Sequence, residues 1–205
     1  MKSVDATLVY VVDDDDAVRD SLRLLLRSVD LPSRTFASAD EFLANYDADV
    51  PSCLIADIRM PGMSGLELQE ELNRRKVEMP LIFITGHGDV PMAVKAMQAG
   101  AMDFIQKPFR DQDLLDRVYR ALQQDSDKRE ARKEARRAQH GLDQLTPRET
   151  EVMERVVRGQ ANKVIAQDLG VSQRTVELHR ARVMHKMGVR SLADLVRLVG
   201  TAKQL

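Results

Sequence analysis

Residues 52–65 read SCLIADIRMPGMSG. An apolar run from Cys53 to Ala56 ends at the carboxylate of Asp57, and a proline and two glycines follow it. A short apolar run bounded by turn-forming residues is typical of a buried strand. The glycines allow the backbone after Asp57 to turn tightly. The stretch therefore predicts a strand that delivers Asp57 to a loop at its carboxyl end.

The alternation of strand and helix continues over the first 122 residues. Five short apolar runs alternate with segments of helical period, which predicts a doubly wound α/β fold with a five-stranded parallel sheet. Asp89, before Val90 and Pro91, has the form of an N-cap for the fourth helix. The predicted strands are 8–12, 33–36, 52–57, 80–85 and 101–106. The predicted buried face of the first helix is Val18, Leu22, Leu25, Leu26 and Val29.

The rest of the chain divides into a linker and a small all-α domain. Residues 123–144 are strongly charged, and their few apolar residues are mostly alanine, which favours a solvated helical linker. From residue 145 onward the pattern is helical, with short helices separated by glycines. We therefore expect one domain over 1–122, a linker over 123–144 and a second domain over 145–205.

The composition excludes several classes of protein. Of the 205 residues 43% are hydrophobic and 31% are charged, and no apolar run has the length of a membrane span. The N-terminal residues lack the pattern of a secretory signal, so we expect a cytoplasmic protein with no membrane partner. Cys53 is the only cysteine, which rules out an internal disulfide, and its neighbours predict a buried thiol.

The charge is divided unevenly along the chain. Residues 1–125 hold 14 Lys and Arg against 22 Asp and Glu, whereas residues 126–205 hold 17 against 10. An acidic half suits a cation site and a basic half suits a polyanion, although either excess is also compatible with a solvated surface. Charge alone therefore does not decide the function.

Functional side chains of the predicted sheet fall at strand ends. In a parallel sheet the carboxyl ends share one edge, where loops form a crevice. Asp13 and Asp14 follow the first strand, Asp57 and Thr85 end the third and fourth, and Lys107 follows the fifth. Three carboxylates repel one another unless a cation lies among them, and Mg²⁺ prefers oxygen ligands. The pattern predicts a magnesium site.

A carboxylate in such a site can accept a phosphoryl group as an acyl phosphate, provided that cations and hydrogen-bond donors neutralise the charges. Asp57 is the candidate phosphoacceptor because it ends the central apolar strand. Lys107 is expected to pair with the phosphoryl oxygens, and Thr85 to donate its hydroxyl to them.

The segments VVDDDDAVRDSL, CLIADIRMPGMSG, FITGHGDVPMAVKAMQAGAMDF and QKPF together resemble the receiver domain of two-component response regulators, over about the first 120 residues. The resemblance implies a flavodoxin-like receiver in which Asp13 and Asp14 form an acidic pocket, with Asp14 a direct Mg²⁺ ligand. Asp57 would bind the metal and accept the phosphoryl group, and the backbone carbonyl of Arg59 would complete the protein ligands. Asp15 and Asp16 are then surplus, and we expect them to cap a helix or face solvent.

The resemblance also implies a switch. Thr85 would move toward the phosphoryl group, and Phe104 would turn inward to fill the vacated space. Phenylalanine replaces the tyrosine that is commoner in the family, so the hydroxyl is absent, and an ordinary core role for Phe104 stays open. The Lys107–Pro108 peptide bond is typically cis in such domains.

The C-terminal residues predict a helix, a short turn and a cationic helix. Thr146-Pro147-Arg148-Glu149 has the form of a capping box, and Gly170-Val171-Ser172 supplies a tight turn. The next helix runs from Gln173 to about Met187, with Val176, Val183 and Met187 facing inward. Its outward side chains are predicted to be Arg174, Glu177, Arg180, Arg182 and Lys186. This order is typical of a helix-turn-helix.

The segment from Leu145 to Val199 resembles the NarL/LuxR type of helix-turn-helix. The resemblance implies that the helix from Gln173 to about Met187, the third of this domain, enters the major groove of promoter DNA. Glu177, Leu178 and Ala181 would lie nearest the base edges, and the side chains nearer the phosphates would be Lys163, Arg174, Thr175, His179 and Arg182. In the family an exposed part of the last helix, here 191–199, pairs two DNA-binding domains. None of His87, His140, His179 and His185 has the spacing of a zinc site.

The expected function is that of a response regulator of the FixJ-like subgroup and not of an enzyme. A cognate sensor histidine kinase would phosphorylate Asp57, the phosphorylated chain would form a homodimer, and two basic helices would reach one operator. Activation of transcription is the expected outcome, with RNA polymerase a candidate partner.

Two alternatives stay open at this point. A haloacid-dehalogenase-like phosphatase would use Asp14 as its nucleophile within Asp14-Asp15-Asp16-Ala17-Val18, but the acidic pair expected after a further strand is missing. A third interpretation keeps the receiver and makes the basic end a protein-binding module.

Overall fold

The computed structural model describes residues 7–86 and 90–202, and the chain divides after Arg129 into an N-terminal and a C-terminal unit. The N-terminal unit contains a five-stranded sheet in which every neighbouring pair is parallel, with the strand order β2-β1-β3-β4-β5. The doubly wound α/β fold predicted from the sequence is confirmed. Asp89, the predicted N-cap of the fourth helix, lies outside the described residues, and so does His87.

The strands are β1 (Leu8–Val12), β2 (Ser33–Phe36), β3 (Ser52–Asp57), β4 (Leu81–Thr85) and β5 (Asp103–Gln106). The helices that begin in this unit are α1 (Asp16–Ser28), α2 (Ala39–Asn45), α3 (Gly65–Arg74), α4 (Val90–Gln98) and α5 (Asp111–Asp143), the last of which continues into the C-terminal unit. The remaining helices are α6 (Pro147–Val157), α7 (Asn162–Leu169), α8 (Gln173–Lys186) and α9 (Leu192–Ala202). The first three strands have their predicted bounds. The prediction placed the start of β4 one residue early and that of β5 two residues early.

Both faces of the sheet are buried. Side chains of successive strand residues point to opposite faces, so Val9 and Ile55 join one core cluster whereas Tyr10 and Leu54 join the other. Helices cover each face, which is why β1 and β3 read as continuous apolar runs and not as alternating ones. Cys53 is buried within β3, as predicted, and burial raises the pKa of its thiol.

The turn between β3 and α3 depends on two glycines. Gly62 has φ of +73°, a conformation that side chains with a Cβ rarely adopt. A Cβ on Gly65 would lie 2.2 Å from the carbonyl oxygen of Asp57. Ser64 and Glu67 form a capping box at the start of α3. The backbone after Asp57 therefore folds back closely enough to exclude a side chain at position 65.

The start of the predicted linker packs on the N-terminal unit. Helix α5 continues through residues 123–129, and Asp125 is buried, with 3% of its surface exposed. Its Oδ2 accepts hydrogen bonds from the backbone N–H of Ser52 (2.9 Å) and from Nε of Arg129 (2.6 Å). The charged composition suggested a solvated segment, but this carboxylate is buried because an amide and a guanidinium satisfy it.

The C-terminal unit is a helical bundle. Helices α6 to α9 pack around a core that includes Val152, Ile165, Val176 and Leu195, and Ala138 from the end of α5 is fully buried in it. The predicted capping box of Thr146 and Glu149 is confirmed at the start of α6. Within residues 7–86 and 90–202, no helix combines the length and the apolar character needed to cross a membrane.

Replacing Gly65 with Ala should destabilise the N-terminal unit by about 1 to 3 kcal/mol, the usual cost of overpacking. The added methyl group meets backbone, which cannot rotate away. Urea unfolding followed by hydrogen–deuterium exchange of the β3 peptides measures the effect. Gly86→Ala is the control, because a Cβ there meets nothing within 4 Å. Equal stability of the two variants would contradict the close approach.

Candidate functional site

Three side chains from separate strand ends meet at the carboxyl edge of the sheet. The ammonium of Lys107 donates to Oδ2 of Asp13 at 2.8 Å and to Oδ1 of Asp57 at 3.3 Å. Asp13 is 1% exposed and Asp57 is 7% exposed. Two buried carboxylates and one partly exposed ammonium leave a net charge of −1 when both carboxylates are ionised. This arrangement suits a further cation or the attack of a carboxylate on an electrophile.

The strand register places these groups. Asp57 pairs with Ile84 in the ladder between β3 and β4, so Thr85 lies one residue beyond it along the same edge. The backbone N–H of Lys107 donates to the carbonyl oxygen of Thr85 at 2.8 Å. Thr85 is 1% exposed. The Lys107–Pro108 bond is cis. The predicted residues Asp13, Asp57, Thr85 and Lys107 thus share one edge.

Burial raises the pKa of Asp57 above its usual value, because the carboxylate loses hydration. The hydrogen bond from the backbone N–H of Arg59 (2.7 Å) and the charge of Lys107 act in the opposite direction, whereas Asp13 adds to the increase. The pKa of Lys107 is also raised: burial opposes its charge, but the contacts with Asp13 and Asp57 outweigh burial.

The neighbouring aspartates have different environments. Asp15 is the N-cap of α1 and accepts from the backbone N–H of Ala17 at 2.8 Å, and Asp16 lies in the first turn and pairs with Arg19, as predicted for surplus carboxylates. Asp14 is exposed. In the part of the chain that the structure describes, no three His, Cys, Asp or Glu side chains lie close enough to hold a metal. Of the three carboxylates expected to cluster, Asp13 and Asp57 meet at Lys107, whereas the side chain of Asp14 is exposed.

One supporting residue escaped the sequence analysis. The guanidinium of Arg19 donates to the main-chain carbonyl of Asp13, and this contact fixes the backbone from which the Asp13 carboxylate projects. The sequence signal for this contact is the position of Arg19, which lies in the first turn of the helix that follows the acidic run. Spacing alone does not separate such an arginine from a solvated one.

Phe104 lies in β5, opposite Phe83 in the ladder with β4. It is partly buried and packs against the core cluster that includes Phe83 and Ala96. The packing role expected of an aromatic residue here is present. Whether its ring changes position on phosphorylation stays a prediction.

Helix α8 presents a mixed face to solvent. Glu177, Leu178, Ala181 and Arg182 are exposed, and Leu178 has 52% of its surface exposed although it is apolar. Lys163 in α7 and Arg174 at the start of α8 are exposed as well. An exposed leucine flanked by cations is a feature that a groove of nucleic acid can cover.

Two residues predicted near phosphates are more enclosed. The hydroxyl of Thr175 lies 2.8 Å from that of Ser172, the N-cap of α8. His179 is half-buried, and its Nδ1 is buried without a hydrogen-bond partner among the described residues.

The prediction that Arg180 and Lys186 face outward is wrong, because both side chains contact neighbouring helices. Arg180 is half-buried and donates to Oδ1 of Asn162 at 2.7 Å, and Lys186 donates to Oε2 of Glu149 at 2.6 Å. Glu149 is 2% exposed, and the hydrogen bonds from Lys186 and from the backbone of Thr146 lower its pKa to about 2. Long side chains reach neighbouring helices, which helical period alone does not reveal.

Two known protein families match separate parts of the chain. The family described as "Response regulator receiver domain" matches residues 9–119, and that described as "Bacterial regulatory proteins, luxR family" matches residues 143–199.

Relatives align with nearly the whole length of the chain. The chain is 49% identical to "Nodulation protein W" of Bradyrhizobium diazoefficiens, with 95% of this chain and 86% of that protein covered. It is 50% identical to "Transcriptional regulatory protein FixJ" of Azorhizobium caulinodans, with 93% and 90% covered. Among solved structures, the response regulator StyR superposes with a TM-score of 0.85 at 46% identity and covers 95% of this chain and 98% of that one.

Replacing Asp57 with Asn should stabilise the N-terminal unit at pH 7 in metal-free buffer by about 1 kcal/mol, a usual gain when a residue kept for function is neutralised. Burial raises the pKa of Asp57 in the folded chain above 3.8. The ionised carboxylate therefore opposes folding above that pKa, and below the unfolded value the opposition is absent. The gain should disappear below about pH 4.

Urea unfolding at pH 7 and pH 3.5, followed by hydrogen exchange, measures this difference. Asp30→Asn is the control, because Asp30 is exposed and its φ of +56° suits asparagine. A destabilised Asp57→Asn variant at pH 7 would contradict the burial argument.

Proposed function

This chain belongs to the two-component response regulators that join a receiver domain to a LuxR-type DNA-binding domain, and we propose that its receiver is phosphorylated on Asp57. One observation carries the proposal: Asp57 is a buried carboxylate at a strand end that shares Lys107 with Asp13. We also propose residues 1–122 as the receiver, 123–144 as the linker and 145–205 as the DNA-binding domain. The family assignment disfavours the phosphatase and the protein-binding output module.

The phosphoryl transfer uses groups already in place. A carboxylate oxygen of Asp57 attacks phosphorus of a phosphohistidine on the sensor kinase, the P–N bond breaks, and the imidazole leaves with a proton from water. The backbone N–H of Arg59 holds Oδ2 of Asp57 and so orients the carboxylate. Lys107 changes from pairing two carboxylates to pairing the phosphoryl oxygens, and the Thr85 hydroxyl donates to one of them.

Magnesium fits the donor set. Asp13 and Asp57 supply carboxylate oxygens that are only partly neutralised by Lys107, and Mg²⁺ prefers oxygen ligands. Asp14, the next residue along the chain, would complete the carboxylates after its exposed side chain rotates, and the carbonyl of Arg59 would supply another oxygen. When bound, the ion neutralises the negative charge that accumulates on the phosphoryl oxygens.

The switch proposal links the site to pairing of two chains. Thr85 moves toward the phosphoryl group, and Phe104 fills the space beside it. The α4-β5-α5 surface carries exposed Val90, Val94, Met97 and Tyr119. Such an apolar surface suits a second copy of the receiver.

Pairing of receivers delivers two DNA-binding domains to one operator. Helix α8 enters the major groove with Glu177, Leu178 and Ala181 toward the bases. Lys163, Arg174, Thr175, His179 and Arg182 lie toward the phosphates. The exposed Leu192 and Val196 of α9 suit contact between the two domains. A bivalent contact raises affinity without new base contacts. We propose activation of transcription in the cytoplasm, with RNA polymerase as a further partner.

Acetyl phosphate with Mg²⁺ should place phosphate on the peptide that contains Asp57. Borohydride trapping of the acyl phosphate and mass spectrometry identify the residue. Asp57→Asn should abolish the product and phosphate-dependent dimerisation, and Asp15→Asn should leave both intact because Asp15 caps α1. Trapped phosphate on Asp14 would instead support the phosphatase alternative.

DNA binding should weaken steeply with salt, because contacts to several phosphates release counterions. Arg182→Gln should lower the slope of log affinity against log salt by about 1 and weaken all sequences similarly. Fluorescence anisotropy on a duplex selected from random DNA measures the slope. Arg27→Gln, an exposed cation in the last turn of α1 and away from the proposed pairing surface, is the control. An unchanged slope for Arg182→Gln would exclude it from the phosphate contacts.

A further inference from the structure

The last residue of α8 is joined to the start of α6 by an ion pair whose carboxylate is buried and whose ammonium group is partly exposed. The ammonium of Lys186 lies 2.6 Å from Oε2 of Glu149, whose side chain is 3% exposed. The same oxygen accepts the backbone N–H of Thr146 at 2.9 Å. A single carboxylate therefore closes the first turn of α6 and holds the carboxyl-terminal end of α8.

A second polar contact joins the middle of α8 to α7. The guanidinium of Arg180 donates to Oδ1 of Asn162, the first residue of α7, at 2.7 Å. Lys186 lies six positions after Arg180, which corresponds to about 9 Å along a helix and to an angular separation of about 120° around it. The two contacts therefore restrain both the translation and the rotation of α8.

Apolar packing alone does not impose these restraints. Val176, Val183 and Met187 bury α8 in the core, but hydrophobic attraction has no preferred direction. A charged hydrogen bond has a defined length and angle. Desolvation of the buried Glu149 carboxylate offsets part of its attraction to Lys186, so the pair is weak evidence for stability.

We propose that Glu149, Lys186, Asn162 and Arg180 are positioning residues that set the orientation of α8 for sequence-specific DNA recognition. The inference rests on the proposed placement of α8 in the major groove. Base-edge contacts depend on the position of the helix to within a fraction of an ångström, whereas phosphate contacts tolerate displacement. Loss of the two polar contacts therefore lowers specific affinity and leaves non-specific affinity unchanged.

The test uses the full-length double variant Glu149→Gln/Lys186→Met. It keeps the net charge, so the electrostatic part of DNA binding is retained, and glutamine keeps the capping box. The probes are a duplex selected from random DNA by the wild-type chain and a scrambled duplex of the same composition. We expect affinity for the selected duplex to fall about tenfold, affinity for the scrambled duplex to stay within twofold, and the melting temperature to change little.

The matched control is Glu154→Gln/Arg158→Met. It also removes one ion pair of α6 without a change in net charge, but that pair is 3.9 Å long, with 51% and 72% of its side chains exposed. Its ratio of specific to non-specific affinity should equal that of the wild type. An unchanged ratio in the Glu149→Gln/Lys186→Met variant, or an equal loss in the control, would overturn the inference.

A second variant covers failure of the double variant to fold. Asn162→Ala removes only the acceptor of Arg180 at a position where alanine is a good helix former. It should lower the specificity ratio threefold to tenfold, and an unchanged ratio would overturn the inference for this contact.

The full-length variant Glu177→Ala/Leu178→Ala removes both long side chains that are proposed to face the bases. If it selects the same sequence as the wild type, α8 does not read the bases, and the proposed DNA contacts fail together with the inference. If it alters the selected sequence while the positioning variants keep the wild-type ratio, only the inference fails.

Discussion

The ammonium of Lys107 lies between the carboxylates of Asp13 and Asp57, and this shared ion contact links three strand ends of the sheet. Both carboxylates are largely buried, so their repulsion is strong and one lysine compensates only part of it. The site therefore retains an affinity for added positive charge. A phosphoryl group changes this balance because it brings negative oxygens to the position where the lysine already lies.

The surrounding structure is arranged to keep that balance. The close approach of Gly65 to the carbonyl of Asp57 fixes the turn after β3, and the amide of Arg59 orients the carboxylate. The hydroxyl of Thr85 lies at the same edge, supported by the contact between its carbonyl and the amide of Lys107. Function here has a stability cost, since burial of Asp57 favours the neutral acid. At α8, the ion pair between Lys186 and the buried carboxylate of Glu149 is likewise weak evidence for stability, and we propose that it orients the helix.

Much of the fold was predictable from local patterns. The strands over 8–12, 33–36 and 52–57 follow from apolar runs that are buried on both faces, and the capping box at Thr146 follows from its hydrogen-bonding pattern. Asp57, Thr85 and Lys107 were predicted together because parallel strands carry their loops at one edge. The start of β5 and the solvated character of residues 123–129 were less well predicted, since both depend on which neighbour satisfies a backbone or carboxylate group.

The sequence by itself determined the element order, the buried faces and the identity of the acidic, hydroxyl and cationic residues, because these depend on period and position along the chain. Only the tertiary structure decided which partners those residues have. It joined Lys107 to Asp13 and left Asp14 exposed, it buried Asp125 against Ser52, and it turned Lys186 from the surface toward Glu149. Such choices depend on contacts between residues 37 to 94 positions apart, which local periodicity does not encode.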